Sequence, residues 1–167
     1  LPRVNETSRA EIPARPDGKP SATTVSDCTI HDGSLIYYSA IGIWIGNAGF
    51  NRIRNNRIYN LNYTGISCGW TWGYAPTATI DNRIEYNHIH HINWDRLLSD
   101  NGGIYTLGLQ PGSVLRGNHV HHIDCYAYGG WGIYPDEGTS EERIESNLVH
   151  HTRNSGFHTH YGRDNVV

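Results

Sequence analysis

A short pattern, apolar-x-x-Asn-x-apolar-x-x-apolar, returns along this chain at a nearly constant interval, and it restricts the fold more than any other feature. It reads Ile53-Arg-Asn-Asn56-Arg-Ile58 with Leu61, then Ile84-Glu-Tyr-Asn87-His-Ile89 with Ile92. It returns as Leu115-Arg-Gly-Asn118-His-Val120 with Ile123, and as Ile144-Glu-Ser-Asn147-Leu-Val149. A weaker first copy, Val25 to Ile30, carries Cys28 in place of Asn. The anchors at 28, 56, 87, 118 and 147 are spaced by 28, 31, 31 and 29 residues.

A second element lies between the anchors: Gly42-Ile43-Trp44, Gly65-Ile66-Ser67, Gly103-Ile104-Tyr105, Gly132-Ile133-Tyr134 and Gly156-Phe157-His158. Each repeat therefore holds about three short strands bounded by turn residues, with no helical period. This predicts an all-β parallel β-helix, a solenoid of about five coils of roughly 30 residues, stacked at the ~4.8 Å spacing of paired strands. A propeller also repeats, but at ~40–45 residues with four strands per blade. Asn at one turn of every coil fits an internal ladder, since Asn tolerates left-handed turns and its amide bonds to the same amide one coil away. Residues 1–23, rich in Pro and small polar residues, read as an extended lead-in or linker, and 24–167 as the coils. At the other end "RDNVV" matches the segment before an Asn anchor, so a further coil is expected and the remaining coils of a longer chain are the expected partner.

Composition narrows the function. A net charge of −3, with one lysine against twelve arginines, gives no electrostatic case for nucleic acid or an anionic membrane. No apolar run approaches the ~20 residues of a membrane span, and no signal peptide is visible. Cys28, Cys68 and Cys125 form no CxxC pair and read as small buried filler.

Strand alternation assigns faces. Ile43, Ile66, Ile104, Ile133 and Phe157 should face the core. Trp44, Ser67, Tyr105, Tyr134 and His158 should face out. The next column, Ile45, Cys68, Thr106, Pro135 and Thr159, returns inside, and Gly46, Gly69, Leu107, Asp136 and His160 face out again. Asn47, Trp70, Gly108, Glu137 and Tyr161 lie at or past the strand end. The outer face thus gathers an aromatic column beside Asp136, with His160 about one coil step, roughly 5 Å, away. Gly46 and Gly69 leave a shallow groove, and the loop "LLSDNGG" adds Asp100 at its edge. Aromatic platforms with a few acids in an open groove suit a sugar chain. Any one acid at a strand end is commonly a solvated turn residue; the convergence of Asp100, Asp136 and Glu137 with aromatics and histidines carries the functional reading. His158 and His160 project the same way but lack a third ligand of diagnostic spacing. The doublets His90-His91, His121-His122 and His150-His151 read as stacked turn residues, with metal binding the weaker alternative. No cofactor and no metal are expected, with room left for a bound cation.

"SDNGGIYTLG", "GGWGIYPDEG" and "HTHYGRDN" carry a family resemblance. Over roughly residues 22 to 167 the chain resembles the coils of bacterial right-handed parallel β-helix proteins. It is most similar to glycoside hydrolase family 141, which includes α-L-fucosidases and xylanases acting on plant cell-wall glycans. The resemblance implies a secreted or periplasmic carbohydrate-active enzyme taking an oligo- or polysaccharide substrate.

Three functions follow. In the leading one Asp136, the acid pointing into the groove, joins Asp100 or Glu137 in glycosidic hydrolysis. Trp44, Trp70, Tyr105, Tyr134, His158, His160 and Tyr161 would position the sugar or tune the acids. A polysaccharide lyase or uronate epimerase would use His158, His160 or Tyr161 as base, and the lack of lysine beyond the lead-in counts against it. A non-enzymatic adhesin or glycan-binding module would use the aromatics alone.

Overall fold

A computed structural model describes residues 22–167, so nearly all of the lead-in assigned to residues 1–23 lies outside the described residues. The first coil holds β1 (Thr24–Ser26), β2 (Thr29–His31) and β3 (Ile43–Ile45). The second holds β4 (Arg52–Arg54), β5 (Arg57–Leu61) and β6 (Ile66–Cys68), and the third β7 (Arg83–Glu85), β8 (His88–Ile92) and β9 (Gly102–Thr106). The fourth has β10 (Val114–Arg116), β11 (His119–Ile123) and β12 (Trp131–Pro135). A fifth is begun by β13 (Arg143–Glu145) and β14 (Leu148–Thr152). Among the described residues, four complete coils and the start of a fifth thus stand where about five were expected. Corresponding strands pair in parallel into three sheets, ordered β1-β4-β7-β10-β13, β14-β11-β8-β5-β2 and β12-β9-β6-β3.

Columns of like apolar residues fill the interior. Ile53, Ile84, Leu115 and Ile144 come from the first sheet, Ile58, Ile89 and Val120 from the second, and Ile66, Ile104 and Ile133 from the third. Stacking identical shapes at each coil keeps the core dense with few voids. The third sheet can approach the second this closely only because glycine precedes each of its leading apolar residues. A Cβ on Gly103 would stand 2.3 Å from Val120 Cγ1, and one on Gly132 2.2 Å from Val149 Cγ1.

The Asn ladder forms as expected: Asn56 Nδ2 donates to Asn87 Oδ1 at 3.0 Å, Asn87 to Asn118 at 3.0 Å, and Asn118 to Asn147 at 2.9 Å. The left-handed residue is not the anchor, however, but the one before it: Asn55, Tyr86, Gly117 and Ser146 all have positive φ. The tight corner thereby leaves the anchor side chain free to point inward and bond along the stack. A second ladder, absent from the sequence reading, precedes the first strand of each coil. Asn51 Nδ2 donates to Asn82 Oδ1 at 2.8 Å, Asn82 N to Ser113 Oγ at 3.2 Å, and Glu142 N to Asn165 Oδ1 at 3.2 Å.

The third-sheet register agrees residue for residue with the alternation argument. Trp44 pairs with Ser67, Ser67 with Tyr105 and Tyr105 with Tyr134, while Ile133 bridges to Phe157. Two expectations need correction. Cys68 and Cys125 are buried but Cys28 is exposed, because it ends the Asn ladder at the first coil. The histidine doublets are also not simply turn residues. His90, His121 and His150 lie on strands in register, and only their followers His91, His122 and His151 occupy left-handed bulges. Each bulge lets the next residue, such as Ile92 or Ile123, re-enter the core.

Candidate active site

Asp136 sits at the end of β12, where its main-chain N–H still donates to Thr106 O at 2.9 Å and continues the ladder. Three donors converge on its carboxylate. Tyr105 Oη donates to Oδ2 at 2.6 Å, Tyr134 Oη to Oδ1 at 2.9 Å, and His160 Nδ1 lies 3.0 Å from the same Oδ1. Coil stacking builds this arrangement: Tyr105 and Tyr134 are register partners, their rings 5.2 Å apart and edge to face.

Asp100 approaches from the loop before β9, held at φ 60° by its N–H to Tyr128 O. Its Oδ1 is 3.2 Å from the Tyr134 hydroxyl, which therefore lies between the two acids. That hydroxyl bounds the separation of Asp100 Oδ1 and Asp136 Oδ1 at roughly 6 Å. Burial, and then the charge of Asp136, push the Asp100 carboxyl above its usual range. Burial and the hydrogen bond to Asp136 push both tyrosines up as well, so they remain donors across the working pH range. Glu137 stands apart: Tyr161 Oη donates to it at 3.2 Å at the surface, and His160 Nδ1 is 3.9 Å away.

The floor of this groove is covered, contrary to the open groove expected. Tyr105, Leu107, Trp131 and Tyr134 form a buried cluster on the outside of the third sheet. Asp136 is only 6% exposed. Tyr105 and Tyr134 thus present hydroxyls to Asp136 rather than ring faces to solvent. The loop after β6 packs beside this cluster. Gly73 N donates to Glu137 O at 3.3 Å, and the Tyr74 ring meets that of Tyr161 edge to face at 6.0 Å. Exposed rings around it include Trp70, Trp72, Tyr74, Tyr128 and Tyr161, with Trp44 against Trp70 at 5.4 Å and Trp70 against Trp72 at 5.3 Å.

Trp131 and Tyr63 belong to the site and were missed. Counting back from Ile133 places Trp131 inside, but the Cα–Cβ direction of Gly132 also points inward, toward Val149. Alternation therefore resets there, and Trp131 emerges to stack on His158 at 4.4 Å beside Tyr134 at 4.2 Å. Tyr63, in the turn before Gly65, is pushed up to about 12 by burial and by the charges of Asp100 and Asp136. Its position two residues before the recurring Gly-Ile was the available signal. Among the described residues, Trp44 Nε1 and Ser67 Oγ, in the column leading to Tyr105, are buried without a hydrogen-bond partner. Such groups are costly unless something polar meets them.

Comparison with known proteins agrees with this architecture. A family model described as "Right handed beta helix region" matches residues 17–167. A solved structure named "Glycoside hydrolase" superposes with a TM-score of 0.69 at 25% sequence identity, covering 86% of this chain. The chain spans 25% of the length of that neighbour. No curated protein matches.

Proposed function

Because the chain belongs to the right-handed β-helix family, whose coils display outward side chains in register, we propose that this groove hydrolyses glycosidic bonds with Asp100 and Asp136 as its two carboxyl groups. The glycoside hydrolase neighbour supports a carbohydrate-related role. The single observation that carries the mechanism is the Tyr134 hydroxyl shared between the two acids. A phenol has one proton to give. When Tyr134 donates to Asp136, Asp100 makes a hydrogen bond to the phenol oxygen only by carrying a proton itself. Its raised pKa favours that state. Asp100 is then the general acid that protonates the leaving oxygen, and Asp136 the carboxylate that attacks the anomeric carbon or activates water. A separation no greater than roughly 6 Å falls short of the ~6.5–9.5 Å of inverting enzymes and leaves room for the ~5–5.5 Å of retaining ones. Glu137, at the surface beside Tyr161, serves as a hydroxyl acceptor. Trp70 and Trp72 stack on sugar faces along the coil axis, together with Trp44 where its ring is reached. The substrate is a plant or bacterial cell-wall polysaccharide, which entails a secreted or periplasmic protein.

A glycan-binding module is the second reading, favoured by the burial of Asp136 together with the exposed tryptophans. A panel of cell-wall polysaccharides, assayed for released reducing ends, separates the two. Hydrolysis predicts turnover that falls by ~10²-fold or more in both Asp136→Asn and Asp100→Asn. Saturable binding without turnover, unchanged in those variants, would leave the binding module standing. A product carrying the ultraviolet absorbance of an unsaturated uronide would replace hydrolysis with elimination.

A further inference from the structure

The outward face of the second sheet carries two histidine columns that the proposed hydrolysis does not use. In the first, Arg57, His88, His119 and Leu148 are register partners; in the second, Tyr59, His90, His121 and His150. Rings within a column stack nearly parallel, His88 on His119 at 4.8 Å and His121 on His150 at 4.9 Å. The columns also face each other edge to edge, with His88 Nε2 2.8 Å from His121 Nε2.

From this geometry we infer a binding site for one Zn2+-class divalent metal ion on His88, His119 and His121. Their ligand nitrogens all lie within 4.8 Å of one another, and all three side chains are partly exposed. Two nitrogens on one tetrahedral zinc, each at ~2.0–2.1 Å, stand roughly 3.4 Å apart, so small ring rotations convert the hydrogen-bonded cluster into a ligand set. Imidazole is the donor that zinc, copper and nickel share, and three of them leave a fourth position for water. His121 also has an orienting partner: its Nδ1 is 2.5 Å from His122 Nδ1 in the adjacent bulge, which leaves Nε2 as the nitrogen turned toward His88.

Coil register explains why the set occurs at one place. One coil earlier the equivalent residues are Arg57, His88 and His90, and the Arg57 guanidinium bonds His90 Nε2 at 3.3 Å. One coil later they are His119, Leu148 and His150, and leucine supplies no ligand. Sequence spacing hid the site because its three members come from two strands and two columns.

Titration of the chelator-treated protein with Zn2+ in competition with a chromogenic chelator tests this. The expected result is one ion per chain, with affinity falling at least tenfold in His88→Asn and in His119→Asn. His151→Asn, in an exposed bulge where Asn is at ease, should change affinity less than twofold. Cu2+ bound at the same site should show three equatorial nitrogens by electron paramagnetic resonance. Thermal melting provides a readout independent of any variant: added Zn2+ should raise the Tm of the unaltered protein in a concentration-dependent way. No saturable uptake, one ion per two chains, an unchanged Tm with Zn2+, or unchanged affinity in His119→Asn would each overturn the site.

Discussion

Tyr105 donates its hydroxyl to Asp136 at 2.6 Å across the junction of two coils, so the stacking of the helix itself sets the carboxylate in place. Tyr105→Phe keeps the ring in its buried cluster but removes the donor. The lost bond to a carboxylate is worth about 1.5–3 kcal/mol. We expect the unfolding free energy from urea titration to drop by that amount and turnover to fall at least tenfold. A variant as stable and as active as the unaltered protein would mean that Tyr105 only fills space.

Asp100 gives a pH signature. Its carboxyl is raised by burial and by Asp136, and as general acid it works only while protonated. Activity should therefore fall on the alkaline side as Asp100 loses its proton, and kcat/KM against pH should show that limb above the ordinary carboxylate range. The residual activity of Asp100→Asn should lack it. Persistence of the same limb in that variant would assign it to another group and remove Asp100 as the general acid.

The columns of the third sheet and the Asn ladder were legible in the sequence because coil stacking copies phase: once Ile104 faces in, Tyr105 faces out and lies on Tyr134. What could not be read lies where the phase breaks. Gly132 turns a corner and reverses the side on which Trp131 emerges. The loop after β6 has no period, so its packing against Glu137 and Tyr161 had no sequence signal. Glu142 occupies a ladder column otherwise held by Asn and Ser, and chemical dissimilarity concealed the equivalence.

The Asn ladder predicts unequal sensitivity along the stack. Asn87 accepts from both Asn56 N and Asn56 Nδ2 and donates to Ile53 O and Asn118 Oδ1, all within the interior. Asn87→Ala leaves several buried polar groups unpaired at ~1–3 kcal/mol each, so a loss of about 3 kcal/mol or more is expected in urea unfolding. Asn147→Ala, near the end of the ladder, should lose less because its partners are only partly buried. Equal losses would show that the ladder does not act through burial.

Glu142 is fully buried, and burial pushes its carboxyl up to about 8 from the usual 4.5. Thr106 Oγ1 donates to Oε1 at 3.1 Å, while Oε2 has no partner among the described residues. The folded protein therefore retains a proton that the unfolded chain releases above 4.5. Below that value both states are protonated and the buried group costs nothing extra from charge. As pH rises from 4.5 through about 8 the unfolded state is progressively favoured, and the loss is complete above about 8. At ~1.4 kcal/mol per pK unit the effect is on the order of a few kcal/mol. Glu142→Gln carries no titrating proton, so its stability relative to the unaltered protein should rise steadily between pH 5 and pH 8 and then level off. Urea unfolding of both proteins at several pH values measures that difference. Two curves that run parallel across the range would show that Glu142 titrates alike in the folded and unfolded chains.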